Sequence, residues 1–172
     1  MNIELSAITK RSSRHEKRVF LKYMNKFRAN YFADAPDMDM SDINYALDNK
    51  IVCMLIVADN KYIGAVEATP GCVITQKILN IATIFIDKQF RNKGIANFVY
   101  AYLDNLLPDV DVALQIEESN YYQNISKFKN MGFTHYWAGD VSSNDHRQYN
   151  EKTFVLYSEK YDNQLMPIAE VA

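Results

Sequence analysis

Ile84-Phe85-Ile86-Asp87-Lys88-Gln89-Phe90-Arg91-Asn92-Lys93-Gly94-Ile95-Ala96 holds the end of a strand, a basic turn with one glycine, and the start of a helix. The apolar, β-branched run from Ile78 to Ile86 that leads into it reads as a central strand. Beyond it, Ile95, Val99, Tyr102, Leu103 and Leu106 recur at helical spacing from Gly94 to Leu107, and Pro108 ends the helix. Such a junction aims backbone N–H groups, the positive end of the helix, Arg91 and Lys93 at one point, which favours a phosphate or pyrophosphate. Gly94 and Ala96 leave room for a ligand to approach the backbone. The turn fits neither the phosphate loop of nucleotide hydrolases nor the three-glycine dinucleotide fingerprint. Taken alone, it reads equally well as a helix start with a solvated basic cap.

Outward from this junction the chain reads as one mixed α/β domain over residues 1–172, of order α-α-β-β-β-α-β-α-β-β. Val19, Phe20, Tyr23, Met24, Phe27 and Tyr31 recur at helical spacing from Ser12 or Ser13 onward. Ser13 with Glu16 matches a capping box, and Ser12 with His15 is an alternative cap. The loop from Asp34 to Asp42 leads into a short helix through Asp48, which Ser41 or Asp42 is placed to cap. Ile51–Ala58 and Tyr62–Ala68 read as strands joined by an Asp59-Asn60-Lys61 hairpin turn, and Pro70-Gly71 reads as a second turn. Val110, Val112, Leu114 and Ile116 alternate with Asp111, Ala113, Gln115 and Glu117, so one strand face is apolar. Asn120 to Met131 reads as another helix, closed by Gly132 with Phe133 tucking back. Phe133–Ala138 and Thr153–Tyr157 form a last strand pair around a polar loop.

Composition excludes several classes. At 172 residues, 48% hydrophobic and 23% charged, the chain suits a folded globular domain. Its net charge of -2 argues against a protein that mainly coats nucleic acid. The longest apolar run, Ile51 to Ala58, is too short to span a bilayer, and Met1 to Ala7 lacks a signal-peptide core. A cytoplasmic protein without membrane contact is the expectation. Cys53 and Cys72 are the two cysteines; Cys53 lies in that apolar run and reads as a buried thiol in a reducing compartment. Neither they nor His15, His135 and His146 have metal-ligand spacing, so no metal is expected.

Arg91-Asn92-Lys93-Gly94-Ile95-Ala96, after Ile84-Phe85-Ile86-Asp87, resembles the R/Q-x-x-G-x-G/A signature of the GNAT acyltransferase superfamily. Asn120 through Gly132-Phe133 resembles that family's second motif, an Asn-initiated helix ending in Gly-Phe, and the order of elements is similar too. The resemblance covers about residues 12–158. It implies an acetyltransferase that moves an acetyl group from acetyl-CoA, its co-substrate, to a primary amine. It implies that Ile84, Phe85 and Ile86 offer backbone groups to the pantetheine arm and acetyl carbonyl. Arg91, Asn92, Lys93, Gly94, Ile95 and Ala96 would wrap the pyrophosphate, and strands 78–86 and 110–116 would splay to open the slot. Asn120 would reach the pantetheine, or serve only as a helix N-cap with Gln123 three residues on.

The sequence departs from the family pattern at the catalytic groups. Counting back from Gly132-Phe133 puts Phe128 where the family often places a Tyr that protonates the leaving thiolate, and counting forward from Asn120 puts Lys127 there; the helix is one residue longer than the usual pattern. Phe128 is therefore grouped with the acyl-CoA contacts, and Tyr121, Tyr122 and Ser126 are substitute proton donors. Where the family often has a Glu on a central strand stand Asn80 and Gln115, whose amide oxygens can orient a water. The nearest carboxylates in sequence are Glu67 and Glu117; Glu67, among Ala65, Val66 and Ala68, is favoured as the base, with a solvated strand carboxylate as its plainer reading. The catalytic candidates are thus Glu67, Gln115 and Tyr121.

Asp34, Asp37, Asp39 and Asp42 in the first inter-helix loop would attract a cationic amine, or are ordinary loop residues and caps. Tyr31, Phe32, Tyr45, Tyr136 and Trp137 are candidates for an aromatic wall or for the core. Lys10, Arg11, Arg14, Lys17, Arg18 and Lys22 read foremost as a solvated helix face, with RNA or an acidic protein as the alternative partner. Two other readings of the whole stay open: an acyl-CoA-binding module with little transferase activity, and an interaction domain that binds no nucleotide.

Overall fold

Ser13 and Glu16 open the first helix as a capping box: the Glu16 N–H donates to Ser13 Oγ at 3.2 Å and the Ser13 N–H to a Glu16 carboxylate oxygen at 2.7 Å. Ser12 instead uses its hydroxyl on the preceding turn, accepting from the Thr9 N–H at 3.0 Å. Helix α1 (Arg14–Tyr31) buries Phe20, Leu21, Tyr23 and Met24. Helix α2 (Met40–Asp48) also begins with a capping box, but its cap is Asp39 and Asp42 is the reciprocal partner, rather than Ser41 or Asp42 standing at the cap. Asp39 is set ahead of both because its extended backbone leaves its carboxylate free to accept the Ser41 N–H at 2.7 Å.

The computed structural model describes residues 1–31, 34–73, 76–107, 110–131, 133, 135–139, 153–157 and 166–167. Its strands are β1 (Ile3–Ala7), β2 (Val52–Ala58), β3 (Lys61–Val73), β4 (Gln76–Ile86), β5 (Asp111–Glu117), β6 (His135–Gly139), β7 (Thr153–Tyr157) and β8 (Met166–Pro167). They form one sheet of order β1-β2-β3-β4-β5-β7-β6-β8. Helix α3 (Ile95–Leu106) makes the crossover between β4 and β5, which pair in parallel, and α4 (Glu118–Asn130) follows β5. The expected order of elements is all present, with two strands added. Strand β1 pairs antiparallel with β2 at the sheet edge, and its Ile3 and Leu5 pack against the α3–α4 core. Strand β8 pairs with β6 through two residues.

Pro70-Gly71 is not a turn. Strand β3 runs through both to Val73, paired with β4 from Leu79 back to Gln76. Pairing of β3 with β2 stops at Ala68, so Pro70 lies on a stretch with one open flank, where a strand proline is tolerated. The β2–β3 turn is shorter than expected. Asp59 and Asn60 take φ of 47° and 63°, both left-handed as a two-residue primed hairpin turn requires, and Lys61 already belongs to β3.

The sheet has a core on each face. Leu79, Ile81, Val112 and Ile116 pack with Ile95, Val99, Leu103, Ile125 and Phe128 of α3 and α4. Leu55, Ala65 and Phe85 pack with Phe20, Met24 and Ile43 of α1 and α2. Val110 and Leu114 join the first cluster, so the alternation on β5 holds. At the end of α4 the Phe133 N–H reaches back to the Phe128 carbonyl at 3.2 Å. Phe133 is buried against Tyr100, ring centroids 4.5 Å apart. Gly132 itself lies outside the described residues, as do Phe32 and the loop containing His146.

Candidate functional site

Strand β4 parts from β5 halfway along. The two pair only from Ile78 to Ile81 and from Asp111 to Leu114. At the same place the β3–β4 register slips: Glu67 faces Thr83 and Ala68 faces Ile81, which leaves Ala82 as an extra residue. Such a bulge bends its strand and interrupts its ladder. Past it, residues 83–86 stay paired to β3 but turn their other flank to a gap, whose far wall is residues 115–117, paired on their own far side to β7. Alternate N–H and C=O groups of β4 therefore face that gap. Ile84 and Ile86 send side chains towards the α3–α4 core and Phe85 to the opposite one, so none of these side chains fills the gap.

At the mouth of the gap β4 turns into α3. The Asp87 N–H donates to the Ile63 carbonyl at 2.8 Å, and residues Lys88–Phe90 make one 3-10 turn. Arg91 holds the turn to the strand end: its Nε donates to the Ile86 carbonyl at 2.9 Å and its guanidinium lies 5.7 Å from the Phe85 ring centroid. Asn92 and Gly94 are both left-handed, with φ of 61° and 75°. Gly94 is the N-cap of α3, and no side chain caps that helix. The Gly94 carbonyl accepts the Phe98 N–H at 3.0 Å, so the N–H groups of Ile95, Ala96 and Asn97 precede the first helical bond and have no acceptor within the helix. A Cβ built on Gly94 would meet nothing within 4 Å. This glycine serves its backbone angle and open space, not internal packing.

The turn is tied to α1 by a junction that sequence reading missed. Asp87 accepts from Tyr23 Oη and from Lys26 Nζ, each at 3.1 Å, and Tyr23 Oη also reaches the Tyr62 carbonyl at 2.7 Å. Burial, then the Asp87 charge and hydrogen bond, push the Tyr23 phenol up to about 12. Lys26 Nζ sits 5.1 Å from the Tyr23 ring centroid and 5.8 Å from that of Phe85. A Tyr and a Lys three residues apart on α1 were the available signal, but nothing in their spacing names Asp87 as the partner.

Of the catalytic candidates, Glu67 is half-buried beside the bulge, on the face of the sheet that carries Cys53 and Thr83. Burial, and then the Glu67 carboxylate, push the Cys53 thiol up to about 12. Asn80 is half-buried within the last paired stretch of β4, opposite Ala113, two residues short of the bulge. Gln115 is the first β5 residue past that stretch. The side chains of Gln115, Glu117, Asn120 and Tyr121 lie outside the described residues. Helix α4 starts at Glu118, so Asn120 stands in its first turn and is not its N-cap; the helix gains two residues because β5 runs straight into it. Asn124 breaks the helical backbone with φ -129° and ψ 19°, which is where a segment one residue too long can absorb its excess. Phe128 is buried in the α3–α4 core, and Tyr122 is exposed. Among the loop carboxylates, Asp39 and Asp42 are engaged in capping α2, and Tyr45 points into solvent. No group of His, Cys, Asp and Glu that could hold a metal occurs among the described residues, and no described helix is long and apolar enough to cross a membrane.

No known family model matches the sequence, nor does any curated protein. Solved structures do match the fold. A GNAT family acetyltransferase from Elizabethkingia anophelis, solved with acetyl-CoA bound, superposes at a TM-score of 0.58 with 15% identity, over 91% of this chain and 97% of that one. A chimeric spermidine N-acetyltransferase, SpeG from Vibrio cholerae with hSSAT, gives 0.64 with 17% identity over 92% and 95%. A chain of the NatC complex bound to Gag peptide and CoA gives 0.59 with 14% identity over 92% and 98%. The chain has a GNAT-like fold.

Proposed function

We propose that this protein is an acetyl-CoA-dependent N-acetyltransferase acting on a primary amine. One observation carries the reading: an uncapped helix start, flanked by two left-handed residues, stands at the mouth of a gap between two strands that have stopped pairing. The residues present fit the co-substrate. The N–H groups of Ile95, Ala96 and Asn97, with Lys93 beside them, suit a pyrophosphate, and the bare Cα of Gly94 allows it close. The open flank of residues 83–86 suits an arm with amide groups of its own. Arg91 acts mainly on the turn, since Nε is committed to the Ile86 carbonyl.

In acetyl transfer the amine nitrogen attacks the thioester carbonyl carbon, the C–N bond forms, and the C–S bond breaks. An alkylamine is mostly ammonium near neutral pH, so a proton must leave it first. Glu67, through a water, would take that proton, with the Asn80 amide oxygen orienting the water. A β4 N–H turned to the gap would stabilise the oxyanion, and the thiolate would leave with a proton from Tyr121 or solvent. Phe128 has no proton to give; on α4, buried against the sheet, it would support the wall of the cleft. Asn120, in the first turn of α4, would contact the pantetheine.

A melting curve with and without acetyl-CoA tests the reading. At about 100 times the dissociation constant, the ligand stabilises by about 2.7 kcal/mol, which for this length is a rise of about 5–10 °C. Adenosine should give none. Thiol release with spermidine and with a peptide N-terminus then tests transfer; binding without release would leave an acyl-CoA-binding module of the same fold. Glu67→Gln is expected to slow thiol release by about 100-fold while leaving the acetyl-CoA melting shift intact. An unchanged rate across pH removes Glu67 from the mechanism.

A further inference from the structure

Helix α1 carries Arg14, Arg18 and Lys22 at intervals of four residues, all exposed, on the side away from Phe20, Met24 and Phe27. Each step is about 6 Å along the helix, so the three form a straight row of cations. The ion pairs among the described residues are Lys10–Asp48 and Lys26–Asp87, and neither involves the row. The helix's own acid, Glu16, is spent on capping Ser13. Like charges four residues apart destabilise a helix, and cations in its first turns oppose its dipole. A solvated face ordinarily interleaves signs and gains from the pairs. This one holds a single sign in a chain whose net charge is -2.

A partner outside the chain explains a row that the helix itself does not favour. Protein partners usually require an apolar centre to the interface, and the other exposed residues of α1 are His15, Lys26, Ala29 and Asn30, none of them a large apolar side chain. A regular row of cations without apolar neighbours suits a regular row of phosphates. We propose that the Arg14–Arg18–Lys22 row is a docking surface for a nucleic-acid strand, held through its phosphodiester backbone. The row leads towards Lys26, whose pairing with Asp87 sets that end of α1 beside the turn to Gly94.

The test is fluorescence anisotropy of the full chain with a labelled single-stranded RNA of about 20 nucleotides, titrated between about 50 and 200 mM salt. Three phosphate contacts give a log–log slope of about -2, or affinity about 20-fold weaker at the higher salt. The variant carrying Arg14→Gln, Arg18→Gln and Lys22→Gln is expected to lose the binding and its salt slope. It should melt at or above the parent's temperature, and its response to acetyl-CoA should not change. The proposal is overturned if RNA fails to bind at the lower salt, or if the variant keeps parental affinity and slope. It is equally overturned if the variant melts well below the parent, which makes the row structural, or if polyglutamate binds the row as tightly as RNA, which makes the partner an acidic protein.

Discussion

Gly94→Glu is expected to weaken acetyl-CoA binding severely while the protein still folds. Gly94 holds φ at 75°, a conformation that costs any residue with a Cβ about 1–2 kcal/mol. Melting should therefore fall by a few degrees. No larger penalty follows, because a Cβ there meets nothing within 4 Å. Binding is another matter. The new carboxylate stands where the N–H groups of Ile95, Ala96 and Asn97 converge, so it satisfies those donors itself and repels an incoming pyrophosphate. Calorimetric titration should show affinity lower by on the order of 100-fold or more, about 2.8 kcal/mol. Gly94→Asn separates the causes: asparagine tolerates the left-handed region and adds bulk without charge, so its loss should be smaller. Unchanged affinity in Gly94→Glu would remove the turn from the binding site.

Gly64→Ala is expected to damage the fold itself. A Cβ at Gly64 would lie 2.2 Å from the Phe85 carbonyl oxygen and 3.2 Å from Ile86 Cα, both backbone atoms, and 3.2 Å from Ile56 Cδ1. Gly64 is paired to Ile56 on one side and Ile86 on the other, so β3 has no free flank to retreat to. Overpacking against backbone costs about 3 kcal/mol, or roughly 6–12 °C of melting temperature at this length. Gly71→Ala is the control. Its nearest neighbours would be Ile78 side-chain atoms at 3.6 and 3.9 Å, ordinary contact, so its melting should stay close to the parent's. If Gly64→Ala melts like Gly71→Ala, the close approach of β3 to β4 is not a constraint on the fold.

Signals local in sequence were readable in it, and pairings across the chain were not. The Ser13–Glu16 capping box, the α3 crossover and the apolar face of β5 each depend on residues a few positions apart, and each stands as read. Pro70-Gly71 misled because its dipeptide chemistry says turn, whereas the open flank beyond Ala68 that makes a strand proline acceptable is a fact about where β2 begins. Five residues of β1 alternate too briefly to announce a strand until β2 is there to receive them. At the site, the basic turn and its glycine were legible, while the residue that opens the gap was not. Ala82 looks like any small residue in a β-branched run, and only the register of β3 against β4 marks it as surplus. The Tyr23–Lys26–Asp87 junction bridges more than 60 positions and has no motif.

A sheet normally has two borders, and a strand there invites another strand to join it. This sheet has a further pair of borders in its interior, the late half of β4 and the end of β5, created by one surplus residue. Such lips cannot be blunted with lysine or proline, as outer borders are, without spoiling the cleft they make. They face each other instead, so that whatever enters must be narrow enough to lie between two strands. On the proposed function, such a shape would exclude neighbouring protein chains and admit a slender, flexible arm that can hydrogen-bond along its length. Deleting Ala82 would invite β4 and β5 to zip shut, trading the opening for a more continuous sheet.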